Sequence, residues 1–201
     1  MKLLSLLTLS AMAATPVFAQ ETRQLDAHEH GVAQLDIAMD GQQIAMELHA
    51  PGADIVGFEY AAESADDRAA VDSAVAALAR PLDLFVLPDA AGCSVVQAAA
   101  GLESEEDHDG EAEDHDEHAK DDHDDHNDDH DDHEEQAGHT EFHAEYLLTC
   151  TDPNAATDIT FAFFDAFPNA LEVEVQLISD TGAKSFEVER DTPTLDLRGM
   201  F

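Results

Sequence analysis

The sequence predicts an α+β fold, with antiparallel sheet or sheets around one main helix, interrupted by a disordered His/Asp-rich loop. Several segments alternate apolar and polar residues with the period of two that is typical of a half-buried strand, whereas one segment carries helix signals at both ends. Between them lies a segment too highly charged for any core to bury. The order of the elements also leaves open an internal duplication into two ββαββ-like halves.

The first 19 residues have the layout of a secretory signal peptide. Lys2 gives a basic start, the run from Leu3 to Ala14 is apolar, and Val17-Phe18-Ala19 forms a small-residue cleavage site. Cleavage there would leave Gln20 as the first residue of the mature chain. No later stretch approaches the ~20 apolar residues that a membrane span needs, so we expect an exported protein without membrane insertion.

Two alternating segments flank Asp40-Gly41, a dipeptide that favours the two-residue type I′ turn of a β-hairpin. Such a turn would pair Leu35 with Met46, apolar on apolar, and would place Val32 opposite His49. We therefore predict a hairpin whose polar face carries His49 near one end.

A His-Glu-His-Gly run comes directly before this hairpin. If the first strand extends backwards, His28 and His30 point to the same side as His49, because alternate residues of a strand share a face. Three histidines from two neighbouring strands can form a zinc triad, with His139 or His143 as a candidate fourth ligand. The competing interpretation is three unrelated surface histidines near a fraying terminus.

A helix is predicted from Ser64 to Arg80, because Ser64 can cap the first turn and Pro81 ends the helix. Its inward stripe consists of Val71, Val75, Leu78 and Leu82. Strands are expected next at 84–87 and 93–98.

The segment from His139 to Cys150 alternates again and predicts another strand. Its outward face is a row of ligand-capable side chains, namely His139, Glu141, His143 and Glu145. Later strands are predicted at 159–163, 171–177 and 186–188, with a short helical turn at 164–168. The two halves of the folded domain would then be residues 20–102 and 139–201.

Residues 103–138 are predicted to form a disordered acidic loop. Between Glu103 and Glu135 it holds 20 acidic residues and one lysine, which together supply half of the formal net charge of −38. Seven of the twelve histidines also lie there, namely His108, His115, His118, His123, His126, His130 and His133. Imidazole and carboxylate groups bind zinc and similar divalent ions, so the loop is expected to collect metal. The alternative is a plain acidic linker.

Cys93 and Cys150 are the two cysteines of the chain, and they flank the acidic loop. In an exported protein a disulfide between them is the default expectation, because such compartments are oxidising. The alternative, a pair of metal-binding cysteines, lacks the CxxC spacing typical of such sites.

Composition and motifs narrow the classes of function. The negative charge repels nucleic acid and anionic membranes and concentrates divalent cations. Neither an HExxH motif nor a nucleophile elbow occurs, so we do not expect an enzyme. The substrate-binding protein of an ABC importer needs two α/β lobes. No run of βα units appears in this sequence, which argues against that class. Abundant imidazole favours zinc, nickel or copper over calcium.

Short motifs in a fixed order run through nearly all of the mature chain. They are His28-Glu29-His30-Gly31, Ala50-Pro51, Gly57-Phe58-Glu59, Pro81-Leu82, Cys93, the His-rich loop, HTEFHAEYLLTC at 139–150, and Phe164-Asp165-Ala166-Phe167-Pro168. In this order the chain resembles the periplasmic zinc-regulated zinc-uptake proteins of Gram-negative bacteria, the ZrgA type. It departs from the pattern at Tyr60, where many relatives are expected to have a histidine.

The resemblance implies a periplasmic protein that binds zinc and assists zinc uptake. The expected partners are divalent metal ions and a zinc ABC importer or its binding protein. Binding of another divalent metal, nickel or copper, for storage or detoxification is the alternative function.

Overall fold

The protein is described by a computed structural model that covers residues 29–104 and 139–200. The predicted signal peptide, His28 and all seven histidines of the predicted acidic loop lie outside the described residues. Within the described part, the strand that leads into this loop continues to Ser104, two residues beyond the predicted end of the first half.

The described residues form nine strands, four α-helices and two 3₁₀ turns. The strands are β1 (Val32–Asp40), β2 (Gln43–Pro51), β3 (Phe85–Val86), β4 (Cys93–Ser104), β5 (Thr140–Cys150), β6 (Asp158–Phe161), β7 (Glu172–Ser179), β8 (Gly182–Glu189) and β9 (Thr194–Asp196). The helices are α1 (Gly52–Ile55), α2 (Ala65–Leu78), α3 (Pro81–Leu84) and α4 (Phe163–Ala166), and the turns are Asp89–Ala91 and Pro153–Ala155. The predicted α+β class with one main helix is confirmed.

The strands form two sheets. A six-stranded sheet has the order β4-β5-β2-β1-β7-β8, and a three-stranded sheet has the order β3-β6-β9. Neighbouring strands are antiparallel except β1 and β7, which run parallel. The predicted halves are interleaved in the larger sheet, since β5 of the second half lies between β4 and β2 of the first, so the halves share one hydrophobic core.

The core lies on one face of the six-stranded sheet because its central strands alternate buried and exposed residues. The smaller sheet covers this face, with the Phe85 ring of β3 6.2 Å from the Tyr146 ring of β5 between centroids. The opposite face carries the polar and charged residues. This polar face positions the candidate site.

Helix α2 begins as predicted. Ser64 is its N-cap, and a reciprocal capping box links Ser64 and Asp67. Leu78 is buried, whereas Val71, Val75 and Leu82 are partly buried against the core. Within the described ranges, no helix is long and apolar enough to cross a membrane.

The predicted register of the first hairpin is wrong by two residues. The turn consists of Gly41 and Gln42, so Leu35 pairs with Leu48, and His49 pairs with Gln34 rather than Val32. Gly41 takes the left-handed conformation at the first turn position, with φ of 57°. A shift of two keeps every side chain on its predicted face, because the side-chain period of a strand is two.

Two further predictions differ in detail from the structure. Phe163 starts helix α4 instead of ending a strand. Leu171 lies just before β7 and is 59% exposed, whereas the predicted strand began at this residue. The predicted disulfide is present, and it joins Cys93 and Cys150, which face each other across β4 and β5.

Candidate metal centre

A first cluster, called the Glu47 cluster, consists of Glu47, His49 and His143 on the polar face of the larger sheet. His49 and His143 are direct partners across β2 and β5, and their ring centroids lie 4.6 Å apart. Glu47 lies two residues before His49, so both side chains point to the same face. Its Oε1 atom is 3.2 Å from Nε2 of His49 and 3.1 Å from Nε2 of His143. The three candidate ligand atoms all lie within 4.8 Å of one another.

Two more carboxylates contact the other ring nitrogens of this cluster. Glu141 Oε2 lies 3.4 Å from Nδ1 of His49, and Glu103 Oε1 lies 3.5 Å from Nδ1 of His143. A carboxylate on the second nitrogen fixes the ring orientation of a metal-binding histidine and raises its basicity. The cluster therefore has an inner set of ligand atoms and an outer set of carboxylates that orient it.

Carboxylates also control the protonation of His49. The hydrogen bond with Glu141 raises the pKa of His49 above its usual value of 6.5, and the negative charges of Glu141 and Glu47 add to this effect. Partial burial acts in the opposite direction but is outweighed. A proton therefore competes with a metal ion for this imidazole more strongly than for an isolated histidine.

A second cluster, called the Glu59 cluster, consists of His30, Glu59 and His139. Oε1 of Glu59 lies 3.0 Å from Nε2 of His30, and its Oε2 lies 2.8 Å from Nδ1 of His139. The glutamate side chain is 13% exposed, whereas the His30 and His139 side chains are 65% and 54% exposed. One largely buried carboxylate thus joins two surface histidines that are far apart in sequence.

The local backbone explains how Glu59 reaches His139. Gly52 follows β2, and a Cβ atom there would lie only 2.6 Å from both the Phe58 carbonyl oxygen and Thr140 Oγ1. Only glycine permits so close an approach, which brings the segment before Glu59 against the start of β5. His139 directly precedes β5 and His143 lies within it, so the two clusters are about 13 Å apart along the chain direction of this strand.

The structure distributes the predicted ligands differently from the proposed triad. His30 lies with His139 at Glu59, and His49 lies with His143 at Glu47. His28 and the seven loop histidines lie outside the described residues, so their roles stay predictions. A single site built from His28, His30 and His49 also stays a prediction, although the described geometry favours two clusters.

Glu47 and Glu59 are the two carboxylates of the clusters that the sequence analysis did not name as ligand-capable. A signal for Glu47 was present, since it shares the outward face of β2 with His49. Glu141 was already part of the predicted outward row of ligand-capable residues, between His139 and His143. Glu59 gave no such signal, because it lies outside any strand or helix.

The donor atoms of both clusters are of the kinds that zinc binds, and among the described residues it is the Glu47 cluster whose three candidate ligand atoms converge within 4.8 Å. Zinc sites use imidazole nitrogen and carboxylate oxygen, and three protein ligands leave a fourth position for water or an incoming group. Such a site can take up and release an ion by ligand exchange more readily than a closed four-ligand site. Imidazole-containing sites of this kind also accept nickel and copper.

Taken together, the fold and the clusters define a small α+β protein that presents histidine–carboxylate clusters, one of them on the polar face of the larger sheet. The chain belongs to the ZrgA family of zinc uptake proteins, whose family model matches residues 27–197. The match includes both clusters and the strands that position them. A search of curated proteins finds no significant match.

Proposed function

We propose that this protein captures and buffers zinc in the periplasm of a Gram-negative bacterium and assists the uptake of zinc into the cell. The observation that carries the proposal is the Glu47 cluster, where two imidazoles and one carboxylate from two neighbouring strands place their candidate ligand atoms within 4.8 Å of one another. This is a donor set of the kind that zinc binds. Membership in a family of zinc uptake proteins supports the choice of metal.

The proposal assigns a different role to each part of the chain. The Glu47 and Glu59 clusters hold zinc at defined positions of the fold, and the histidines between residues 103 and 138 collect further ions. The cargo then passes to a zinc ABC importer or its binding protein. The protein is a carrier and buffer in this proposal and not an enzyme, and its mature form begins after the signal peptide.

A substitution that removes charge but keeps side-chain shape tests zinc binding at the cluster. We would titrate the mature chain with zinc in competition with a chromophoric chelator, which isolates the tightest equivalent from the weaker ones. Glu47→Gln keeps the shape of the side chain but removes its charge and one of its two acceptor oxygens. We expect at least a tenfold loss of affinity for the tightest equivalent, the lower end of what loss of even an outer-shell partner costs.

Glu174→Gln is the matched control. Glu174 lies on β7, on the same polar face of the sheet, and its substitution changes the net charge by the same amount. The control variant should bind zinc like the unaltered protein. Equal affinities for all three proteins would refute the Glu47 cluster as a zinc site. Parallel titrations with nickel and copper decide the alternative function, since a clear preference for either metal over zinc would favour storage or detoxification of that metal.

A further inference from the structure

Asp54 stands out among the described residues because its carboxylate is almost completely buried, with 2% of the residue exposed. It is the third residue of the short helix α1, directly after β2. Burial of a carboxylate is costly unless hydrogen bonds compensate for the lost water. The backbone N–H of Gly31 donates to both oxygens of Asp54, at 2.8 Å to Oδ1 and 3.0 Å to Oδ2.

Gly31 is held on its other side as well. Its carbonyl oxygen accepts hydrogen bonds from the N–H groups of Leu171 and Glu172, at 2.7 and 2.9 Å. Its φ of +92° suits glycine alone, and a Cβ atom there would lie 3.2 Å from the Leu171 side chain. The backbone at Gly31 is therefore fixed between the Asp54 carboxylate and the start of β7.

This fixed point lies one residue after His30. The His30 side chain is 65% exposed and precedes β1, in a region where chains ordinarily fray. A hydrogen bond from Val32 N–H to the Glu29 carbonyl oxygen closes a turn around His30, at 3.1 Å. The same turn brings Nε2 of His30 to 3.0 Å from Glu59.

We propose that Asp54 is a positioning residue for the Glu59 cluster, in that its buried carboxylate anchors Gly31 and thereby holds His30 against Glu59. The inference rests on the proposed function, in which the Glu59 cluster binds zinc. Asp54 does not contact the metal in this proposal. Asp54 restricts the conformations of His30 before zinc binds, so less conformational entropy is lost on binding.

The test follows each histidine separately during a zinc titration. NMR spectra of the full mature chain, labelled at histidine and assigned with single His→Gln variants, report the zinc concentration at which each imidazole saturates. In Asp54→Ala we expect the histidines of the Glu59 cluster to need roughly tenfold more zinc. The histidines of the Glu47 cluster should saturate as before. Asp54→Asn keeps one acceptor for the Gly31 N–H and should restore most of the affinity.

Asp165→Ala is the matched control, because Asp165 is also the third residue of a four-residue helix, α4, but is exposed. If Asp54→Ala fails to fold, Gly31→Ala disturbs the same anchor from its other side and should give the same selective loss. Unchanged saturation of His30, or an equal shift of all four histidines, would overturn the inference while leaving the proposed function intact. Absence of zinc binding by His30 and His139 in the unaltered protein would refute the Glu59 cluster itself.

Discussion

The disulfide between Cys93 and Cys150 closes a loop that contains the whole acidic segment, and its removal has a calculable effect. The two residues are 57 positions apart. On the chain-entropy model a loop of this length lowers the entropy of the unfolded chain by about 14 cal/mol/K, or about 4 kcal/mol at 25 °C. We therefore expect the Cys93→Ala, Cys150→Ala double variant to lose about 4 kcal/mol of unfolding free energy.

Urea unfolding followed by circular dichroism measures this loss, with ΔG extrapolated linearly to water. A loss of 4 kcal/mol also lowers Tm by roughly 8 to 16 °C in a domain of this size. The reduced form of the unaltered protein is a useful control, since it breaks the same bond without changing either side chain. Alanine is preferred to serine because Cys150 is buried and a hydroxyl there would need a partner.

Shortening the loop gives a stricter test of the same reasoning. Deletion of Asp107 to His133 removes 27 residues, and the logarithmic dependence on loop length then reduces the disulfide's contribution by only about 0.6 kcal/mol.

Zinc binding at the Glu47 cluster should survive loss of the disulfide, because His143 pairs with Gly101 near the opposite end of β4. A loss below about 1 kcal/mol in the full chain, where the entropy model gives about 4, would refute the reasoning.

Two further predictions concern metal binding directly. Deleting Asp107 to His133 should lower the number of zinc ions bound per chain and leave the circular dichroism spectrum of the fold unchanged, and an unaltered zinc stoichiometry by calorimetry would contradict a collecting role. Zinc affinity should fall steeply between pH 7.5 and about 5.5, because a histidine must lose its proton to bind metal and carboxylates hold the pKa of His49 above its usual value. The folding stability of the metal-free protein depends on pH in the opposite direction. The His49–Glu141 pair stabilises the fold at low pH, and this contribution is lost as pH rises through the raised pKa of His49. A flat affinity across this range would indicate binding by carboxylates alone.

Local patterns in the sequence were sufficient to predict most strands and their buried faces. The alternation along 139–150, with its predicted outward row, leaves the intervening residues facing inward, and all five of these are buried, namely Phe142, Ala144, Tyr146, Leu148 and Cys150. Each of these predictions depends on a period of two within one segment, which sterics and burial impose locally.

The same patterns could not predict the register of the first hairpin. Pairing Leu35 with Met46, as predicted, or with Leu48, as observed, places an apolar side chain on an apolar side chain in either case. A two-residue shift therefore leaves the hydrophobic energy nearly unchanged, and the turn decides between the alternatives. Gly41 in the left-handed conformation starts the turn one residue later than the Asp-Gly dipeptide suggested.

The pairing of the histidines was harder still to predict. His49 and His143 are 94 positions apart in the sequence, and they meet because β2 pairs with β5 and not only with β1. Which strands become neighbours depends on the whole sheet, and no local period encodes it. The sequence analysis thus placed His49 and His143 on the polar face, where the structure has them, but grouped the candidate ligands by nearness along the chain.

The ends of the acidic segment connect it to the two clusters. Ser104, the last residue of β4, pairs with Thr140 at the start of β5, so the chain leaves and re-enters the sheet at one point. At that point Glu103 contacts His143, and His139 contacts Glu59. Ligands on a tether encounter a linked site at an effective concentration set by the tether and not by the protein concentration. In the proposed function, zinc released by the tethered histidines is therefore released close to the clusters, so this connection favours transfer within one molecule over transfer between molecules.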